Sequence, residues 1–154
     1  MSENFVSAEA KRKEAQEIHH RWLQLLLEKD IHQWMELWDE NAVMEFPYAP
    51  NGYTRQLQGK SEIYDYMKDF PSKIDLFRFT EPQVHQTLNP NVMIVEFGCE
   101  GRMLSTGKPY NQSYISVIET ENGKITRYKD YWNPLVAIEA IGGLESFMQT
   151  FNRS

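Results

Sequence analysis

The chain has 154 residues, of which 41% are hydrophobic and 13% aromatic, and this excludes intrinsic disorder. A net charge of −6 disfavours nucleic acid or an anionic membrane as a partner. Residues 1–4 show neither the basic region nor the apolar run of a signal peptide. We therefore expect a cytoplasmic protein with one domain over residues 1–154.

Helices are predicted for the first third of the chain. The apolar residues of the first helix, at helical spacing, are Ile18, Trp22, Leu25 and Leu26. Asp30 can cap a second helix, which we expect to end at Asn41. Its apolar residues are Trp34, Leu37 and Trp38. A short strand over 43–46 and a loop up to Tyr53 follow, and Ser61 can cap a third helix.

Strands are predicted from Asp75 onward. Pro82 interrupts the first of them, 75–88, which implies a bulge or an edge, because proline cannot donate to a sheet ladder. The remaining elements are strands over 91–105, 110–121 and 124–132 and a closing helix over 134–151. Helices followed by a mostly antiparallel meander and a closing helix predict an α+β fold, with helices on one side of a curved sheet.

Asp130 is the leading candidate for chemistry. The pair Asn122-Gly123 predicts a tight hairpin turn, and side chains alternate along the strand that follows it. One face of that strand carries Tyr128, Asp130 and Trp132. The other carries Arg127, Lys129 and Tyr131. A carboxylate between two aromatic residues, away from the basic ones, could have a raised pKa and act as an acid or a base.

Hairpin geometry predicts which residues surround Asp130. A two-residue loop at Asn122-Gly123 places Ile115 opposite Asp130. The preceding hairpin turns at 106–108, and a three-residue loop there directs apolar residues inward where a two-residue loop would direct charged ones. The predicted inner surface consists of Val95, Phe97, Cys99, Met103, Asn111, Ser113, Ile115, Val117, Tyr128, Asp130 and Trp132. Such a surface is typical of a small-molecule pocket. In the alternative, the interior is filled and Asp130 bonds a backbone amide or a tyrosine.

The other candidate groups also have a packing interpretation. The histidines have no metal-ligand spacing, and no cofactor motif is present, so we expect neither a metal nor a cofactor. Cys99 is interpreted as a buried structural thiol. Trp22 and Trp38 either pack in the core or form a pocket wall. Tyr48 and Tyr53, in a loop, either bind a ligand or cover the core.

Several motifs resemble one protein family. They are Glu45-Phe46-Pro47-Tyr48-Ala49-Pro50, Leu57-Gln58-Gly59-Lys60, Gly123-Lys124-Ile125 and Tyr131-Trp132-Asn133-Pro134. They resemble the SnoaL-like branch of the nuclear transport factor 2-like superfamily, close to the phenazine biosynthesis A/B proteins. The resemblance implies a cone-like α+β barrel with a ligand cavity, N-terminal helices on its concave face and a C-terminal helix, usually in a homodimer.

The resemblance also implies roles for single residues. Asp130 is similar in position to an aspartate of SnoaL-type polyketide cyclases and to a glutamate of the phenazine proteins. The phenazine histidine falls on Tyr66. In the ketosteroid isomerases, which share the fold, the helix tyrosine falls on Trp22 and the catalytic aspartate on Phe46. Neither is retained, which argues against steroid isomerisation by that mechanism.

Three functions remain open. The first is a cofactor-free enzyme of isomerase, cyclase or condensation type, in which Asp130 transfers a proton and Asn111 or Ser113 polarises a carbonyl. The second is a binding protein without catalysis. The third is a dimeric interaction module with a filled interior. The expected ligand is a small hydrophobic or aromatic molecule. The residues expected to contact it are Trp22, Trp38, Tyr48, Tyr53, Tyr66, Phe97, Asn111, Ser113, Ile115, Tyr128 and Trp132.

A homodimer is expected to form through the outer face of the sheet, because exposed aromatic and branched residues that cluster together mark interfaces. The residues predicted for that face are Ile94, Tyr114, Ser116, Ile118, Arg127, Lys129 and Tyr131.

Overall fold

The computed structural model describes residues 7–143, which form five helices and seven strands. The helices are α1 (Ala8–Leu27), α2 (Ile31–Met35), α3 (Lys60–Met67), α4 (Phe70–Lys73) and α5 (Pro134–Ala140). The strands are β1 (Trp38–Glu45), β2 (Gln56–Gln58), β3 (Ile74–Phe79), β4 (Gln83–Gln86), β5 (Val92–Met103), β6 (Gln112–Glu121) and β7 (Lys124–Trp132).

All seven strands belong to one curved sheet with the order β2-β1-β7-β6-β5-β3, and β4 pairs with the same edge of β5 as β3 does. The break between β3 and β4 falls at Pro82, as predicted. Strands β1 and β7 run parallel, and the other pairs are antiparallel. This arrangement confirms the predicted α+β class, with a sheet that does not close on itself.

Helix α1 packs on the concave face of the sheet. Ser7 caps it by accepting a hydrogen bond from the Ala10 amide at 3.1 Å. Its apolar residues recur at helical spacing and are buried, and Trp22 among them stacks on Tyr128 of β7 with ring centroids 5.0 Å apart. Within residues 7–143, none of the helices combines the length and hydropathy needed to cross a bilayer.

The predicted second helix is too long. Helix α2 ends at Met35, and Trp38 begins strand β1. The spacing of the aromatic residues fits a helix, but backbone pairing with β7 overrides it, and the Leu37 carbonyl accepts a hydrogen bond from the Ile125 amide at 2.8 Å. Strand β2, at the other side of β1, lies in a region for which no strand was predicted.

The predicted register between β6 and β7 is wrong by one residue. The turn at Asn122-Gly123 is present, with positive φ at both residues, but Thr126 forms a bulge. Asp130 therefore lies opposite Ser116 rather than Ile115. Because one residue reverses every side chain, the inner residues of β6 are Gln112, Tyr114, Ser116, Ile118 and Thr120.

The preceding hairpin also differs from its prediction. Met103 and Lys108 close it through a 2.9 Å hydrogen bond, so that four residues form the loop, and Gly107 there has a φ of 75°. The bulge in the β6–β7 hairpin and the longer loop of the β5–β6 hairpin each reverse the predicted faces, and the two reversals cancel for β5 relative to β7. Phe97, Cys99 and Asp130 face inward as predicted, and only the strand between them is reversed.

The closing helix is shorter than predicted within the described residues. Asn133 caps α5 by accepting a hydrogen bond from the Leu135 amide at 3.0 Å. The helix ends at Ala140, before Gly142 and Gly143, which both have positive φ. Residues 144–151 of the predicted helix lie outside the described residues.

Candidate active site

The concave side of the sheet encloses a cavity of about 740 Å³. This volume lies within the range of small-molecule pockets, and the wall is largely apolar and aromatic, as such pockets are. The residues that line the cavity include Trp22, Tyr53, Tyr66, Lys73, Phe79, Leu104, Tyr110, Tyr114, Asp130 and Trp132. They come from α1, the β1–β2 loop, α3 to β3, the β5–β6 hairpin, β6 and β7.

Asp130 lies in the wall of this cavity with 7% of its surface exposed. Its Oδ1 atom is fully buried and has no hydrogen-bond partner within the described residues. No lysine, arginine or histidine of residues 7–143 forms an ion pair with it. Burial without compensation disfavours the charged carboxylate and raises the pKa of Asp130 from 3.8 to about 7. Both protonation states are therefore accessible at neutral pH.

Four tyrosines line the cavity, and the charge of Asp130 acts on three of them, Tyr66, Tyr110 and Tyr114. Burial raises the pKa of Tyr110 to about 12 and raises the pKa values of Tyr66 and Tyr114 above 10, and the charge of Asp130 adds to each of these shifts. All three phenols therefore stay protonated at neutral pH, so that each can donate a hydrogen bond to an oxygen in the cavity.

A packed aromatic layer supports the wall beside Asp130. Trp22 lines the cavity, and Tyr128 stacks behind it at an angle of 9° between the rings. The Tyr128 hydroxyl lies 3.2 Å from His19 Nε2. Burial lowers the pKa of His19 to about 3, so the imidazole is neutral. The layer fixes the wall without placing a cation near Asp130.

The Asn133-Pro134 motif holds the end of β7 in place. The Gln112 side chain accepts a hydrogen bond from the Asn133 amide at 2.8 Å and donates one to the Asn133 carbonyl at 3.0 Å. Asn133 also caps α5. These bonds fix the backbone immediately after Trp132, which lines the cavity two residues beyond Asp130 on the same face.

The predicted site residues divide into three groups. Those that line the cavity together are Trp22, Tyr53, Tyr66, Asp130 and Trp132. Those buried in the core without lining it are Trp38, Phe97 and Tyr128. Those directed away from it are Tyr48, Asn111, Ser113 and Ile115.

The residues directed away from the cavity contradict the prediction of the residues that face inward. Ser113 and Ile115 lie on the outer sheet face because of the bulge, and Ile115 is 45% exposed. Asn111 is exposed, and its side-chain oxygen accepts a hydrogen bond from the Gly101 amide at 3.4 Å. Tyr48 is 63% exposed and packs edge-on against Tyr131.

Tyr110 and Tyr114 were not predicted to line the cavity. Tyr114 was placed on the outer face by the register error, although it alternates correctly with Gln112 and Ser116. Both faces of β6 carry apolar and hydroxyl side chains, so its alternation alone gave no signal that could correct the register. Tyr110 precedes β6 and has no periodic pattern of its own.

Neither cysteine nor metal chemistry is suggested by the geometry around the cavity. Burial raises the pKa of Cys99, whose Sγ lies 3.6 Å from the Tyr114 hydroxyl, so the thiol stays protonated. In the part of the chain that the structure describes, no three His, Cys, Asp or Glu side chains are grouped as metal ligands would be.

An open α+β sheet over an apolar cavity with one buried carboxyl group is typical of SnoaL-like proteins, whose cavity has the size of a small molecule. The chain belongs to the SnoaL-like domain family, whose profile matches residues 19–128. It is 56% identical over 130 residues to "Uncharacterized protein YesE" of Bacillus subtilis, covering 84% of this chain and 87% of that one. It is 39% identical over 132 residues to "Uncharacterized PhzA/B-like protein PA3332" of Pseudomonas aeruginosa, covering 86% and 93%.

Solved structures agree with this assignment. A Bacillus subtilis protein named "Putative Isomerase" superposes with a TM-score of 0.84 at 53% identity, covering 86% of this chain and 96% of that one. A phenazine biosynthesis-related protein of Pseudomonas aeruginosa has a TM-score of 0.73 at 20% identity, covering 86% and 88%. A Xanthomonas campestris protein named "putative polyketide cyclase" has a TM-score of 0.73 at 14% identity, covering 86% and 99%. The last two share the fold alone. The sequence-based resemblance to SnoaL-like and phenazine A/B proteins is thereby confirmed.

Proposed function

We propose that this protein is a cofactor-free acid–base enzyme of isomerase, cyclase or condensation type. Asp130 would move a proton to or from a carbon next to a carbonyl or imine of a small, largely apolar molecule in the cavity. The observation that carries the proposal is a buried carboxyl group with an unpartnered oxygen in the wall of an apolar cavity. The Bacillus subtilis structure at 53% identity is named an isomerase, which agrees with this class of chemistry.

The chemistry follows from the states of the side chains. The ionised carboxylate of Asp130 accepts the proton from the carbon, and the electron pair of the broken C–H bond moves onto the carbonyl oxygen as an enolate. Tyr110 and Tyr114, which stay protonated, donate hydrogen bonds to that oxygen and stabilise its charge. They take the role first expected of Asn111 and Ser113. The protonated Asp130 then returns the proton to the same or a neighbouring carbon.

A binding protein without catalysis would use the same cavity. Only a chemical change in the bound ligand distinguishes the enzyme from such a binding protein. The third function, an interaction module with a filled interior, is disfavoured by the open cavity of about 740 Å³. Proton exchange at a bound ketone distinguishes the first two, because binding alone leaves the C–H bonds of a ligand intact.

The test uses 2-tetralone, an aromatic ketone with acidic C–H groups beside its carbonyl. Wild-type protein in D₂O is expected to accelerate deuterium uptake at those carbons, followed by NMR. Asp130→Asn is expected to lower this acceleration at least about 100-fold while changing ketone affinity less than about tenfold. Asp65→Asn, an exposed change of the same kind, serves as the control and should leave the rate unchanged.

Each outcome assigns the function differently. Binding of the ketone with no accelerated exchange would identify a binding protein. Accelerated exchange that persists in Asp130→Asn would remove Asp130 from the mechanism.

We also propose a homodimer through the outer sheet face. The corrected register places Ile94, Ile115, Val117 and Tyr131 together on that face, with Arg127 and Lys129 beside them. A cluster of branched and aromatic residues on one exposed face is typical of an interface. Light scattering should show a dimer for wild type and a monomer for Ile115→Glu. Leu135→Glu, on α5, should remain dimeric, and a monomeric wild type would exclude this interface.

A further inference from the structure

The cavity wall carries few charged groups, and they are of opposite sign. Among the described residues that line the cavity, only Asp130 and Lys73 carry an ionisable acid or base other than tyrosine. Lys73 ends helix α4 and is exposed, next to the exposed residues Leu104 and Ser105, which also line the cavity. Lys73 therefore stands at the opening, whereas Asp130 is buried.

The sheet register separates the backbone at Asp130 from the backbone at Lys73 along the strands. Asp130 pairs with Ser116, which pairs with Val95 of β5. The Lys73 carbonyl accepts a hydrogen bond from the Leu104 amide. Leu104 follows Val95 by nine residues (104 minus 95). Nine residues of strand span at most roughly 30 Å at ~3.3 Å each. The curvature of the sheet shortens this distance, and within residues 7–143 Lys73 and Asp130 form no ion pair.

The ammonium group of Lys73 forms no salt bridge with any side chain of residues 7–143. The chain has 16 Lys and Arg against 22 Asp and Glu residues, and Lys73 is the one cation among the described residues that line the cavity. It is available to an anion that enters the cavity, and such an anion would otherwise be repelled by the surrounding charge.

We propose that the substrate is an organic acid, in which an apolar, ring-containing body carries a carboxylate at the end opposite the reacting carbonyl, and that Lys73 binds this carboxylate. This proposal rests on the proposed function of Asp130. The orientation follows from the charges. Ionised Asp130 repels a carboxylate from the buried part of the cavity, Lys73 attracts it at the opening, and the tyrosines of the wall contact the neutral body.

A matched pair of probes tests the proposal by binding alone. The probes are 2-naphthoate and its neutral amide, 2-naphthamide, which share a ring system and differ in charge. Titrations at pH 8 follow the fluorescence of the tryptophans, two of which line the cavity. Wild type is expected to bind the carboxylate about fivefold more tightly than the amide, which is the upper range for one solvent-exposed ion pair. Lys73→Gln should abolish that preference, and Lys73→Glu should reverse it.

The control is Lys13→Gln, which removes the same charge from an exposed position on α1 outside the cavity and should keep the preference of wild type. Amide binding should be equal in all four proteins, which also shows that each is folded. Equal binding of acid and amide by wild type, or a preference that survives Lys73→Gln, would overturn the role of Lys73 while leaving that of Asp130 intact. Binding of neither probe would count against this substrate class and against the ligand cavity itself.

Discussion

Replacing Asp130 by asparagine should stabilise the protein increasingly as the pH rises. In the unfolded chain this carboxyl group has a pKa near 3.8, and burial raises the folded pKa to about 7. Between these values the unfolded state binds fewer protons than the folded state, so the free energy of unfolding falls as the pH increases. Above pH 7 both states are ionised and the loss is complete. Asparagine has the same shape and no charge, so the variant lacks this pH-dependent loss.

The magnitude follows from the two pKa values. A tenfold change in ionisation equals about 1.4 kcal/mol, so the full loss for Asp130 is about 4 kcal/mol. About 3 kcal/mol of it falls between pH 5 and pH 8, the range over which urea unfolding is practical. With an m-value of about 2 kcal/mol per molar urea, the wild-type midpoint should fall about 1.5 M more than that of Asp130→Asn.

Urea titrations of both proteins at pH 5 and pH 8, at one fixed protein concentration, measure this difference directly. Other groups that titrate in this range cancel, because both proteins contain them. Asp65→Asn changes an aspartate whose side chain is 68% exposed, and its pH dependence should follow that of wild type. Parallel profiles for wild type and Asp130→Asn would show that the buried carboxyl group is not held neutral, and would refute the reasoning about its ionisation.

Three further substitutions, two of them paired with a control variant, test the framework around the cavity by the same unfolding measurement. Trp22→Ala should cost about 3–5 kcal/mol, because it removes a ring that is 5% exposed, whereas Leu135→Ala, at a residue 69% exposed, should stay within about 0.5 kcal/mol. Gly101→Ala should cost more than about 2 kcal/mol, because its Cβ would lie 2.6 Å from a backbone carbonyl oxygen of β3. Gly107→Ala, with a φ of 75° and open space around it, should cost only about 1 kcal/mol, and equal losses at the two glycines would contradict the close approach. Asn133→Ala should lose about 1 kcal/mol with the cap of α5, and an unchanged midpoint would mean that the cap contributes nothing.

The faces of β5 and β7 could be predicted from the sequence because their two sides differ in character. On β7, Arg127 and Lys129 alternate with Tyr128 and Asp130, and no shift in the pairing changes which residues share a face. The inward position of Asp130 was therefore predicted correctly in spite of the register error. The residue that pairs with it on β6 was predicted wrongly, because this pairing depends on the bulge at Thr126, which has no sequence signature of its own.

The second helix shows a different limit of prediction from the sequence. Its aromatic residues repeat at a helical period, and the first turn of α2 obeys that period up to Met35. Trp38 leaves the helix because its strand pairs with β7, whose residues lie more than 80 positions later in the chain. Local periodicity does not report a partner at such a distance, so the start of β1 could not be predicted from it.

The parallel pair of β1 and β7 also sets the order in which the molecule can be completed during synthesis. Val43 pairs with Arg127, so 84 residues (127 minus 43) separate the partners. At a ribosomal rate of about 5–20 residues per second, strand β1 waits roughly 4–17 s for β7, and until then β2 is the one strand among residues 7–143 that can pair with it. Strand β7, the last strand among the described residues, carries Asp130 and fills the gap between β1 and β6. A nascent or truncated chain that stops before residue 124 therefore lacks both the centre of its sheet and its proposed acid–base group.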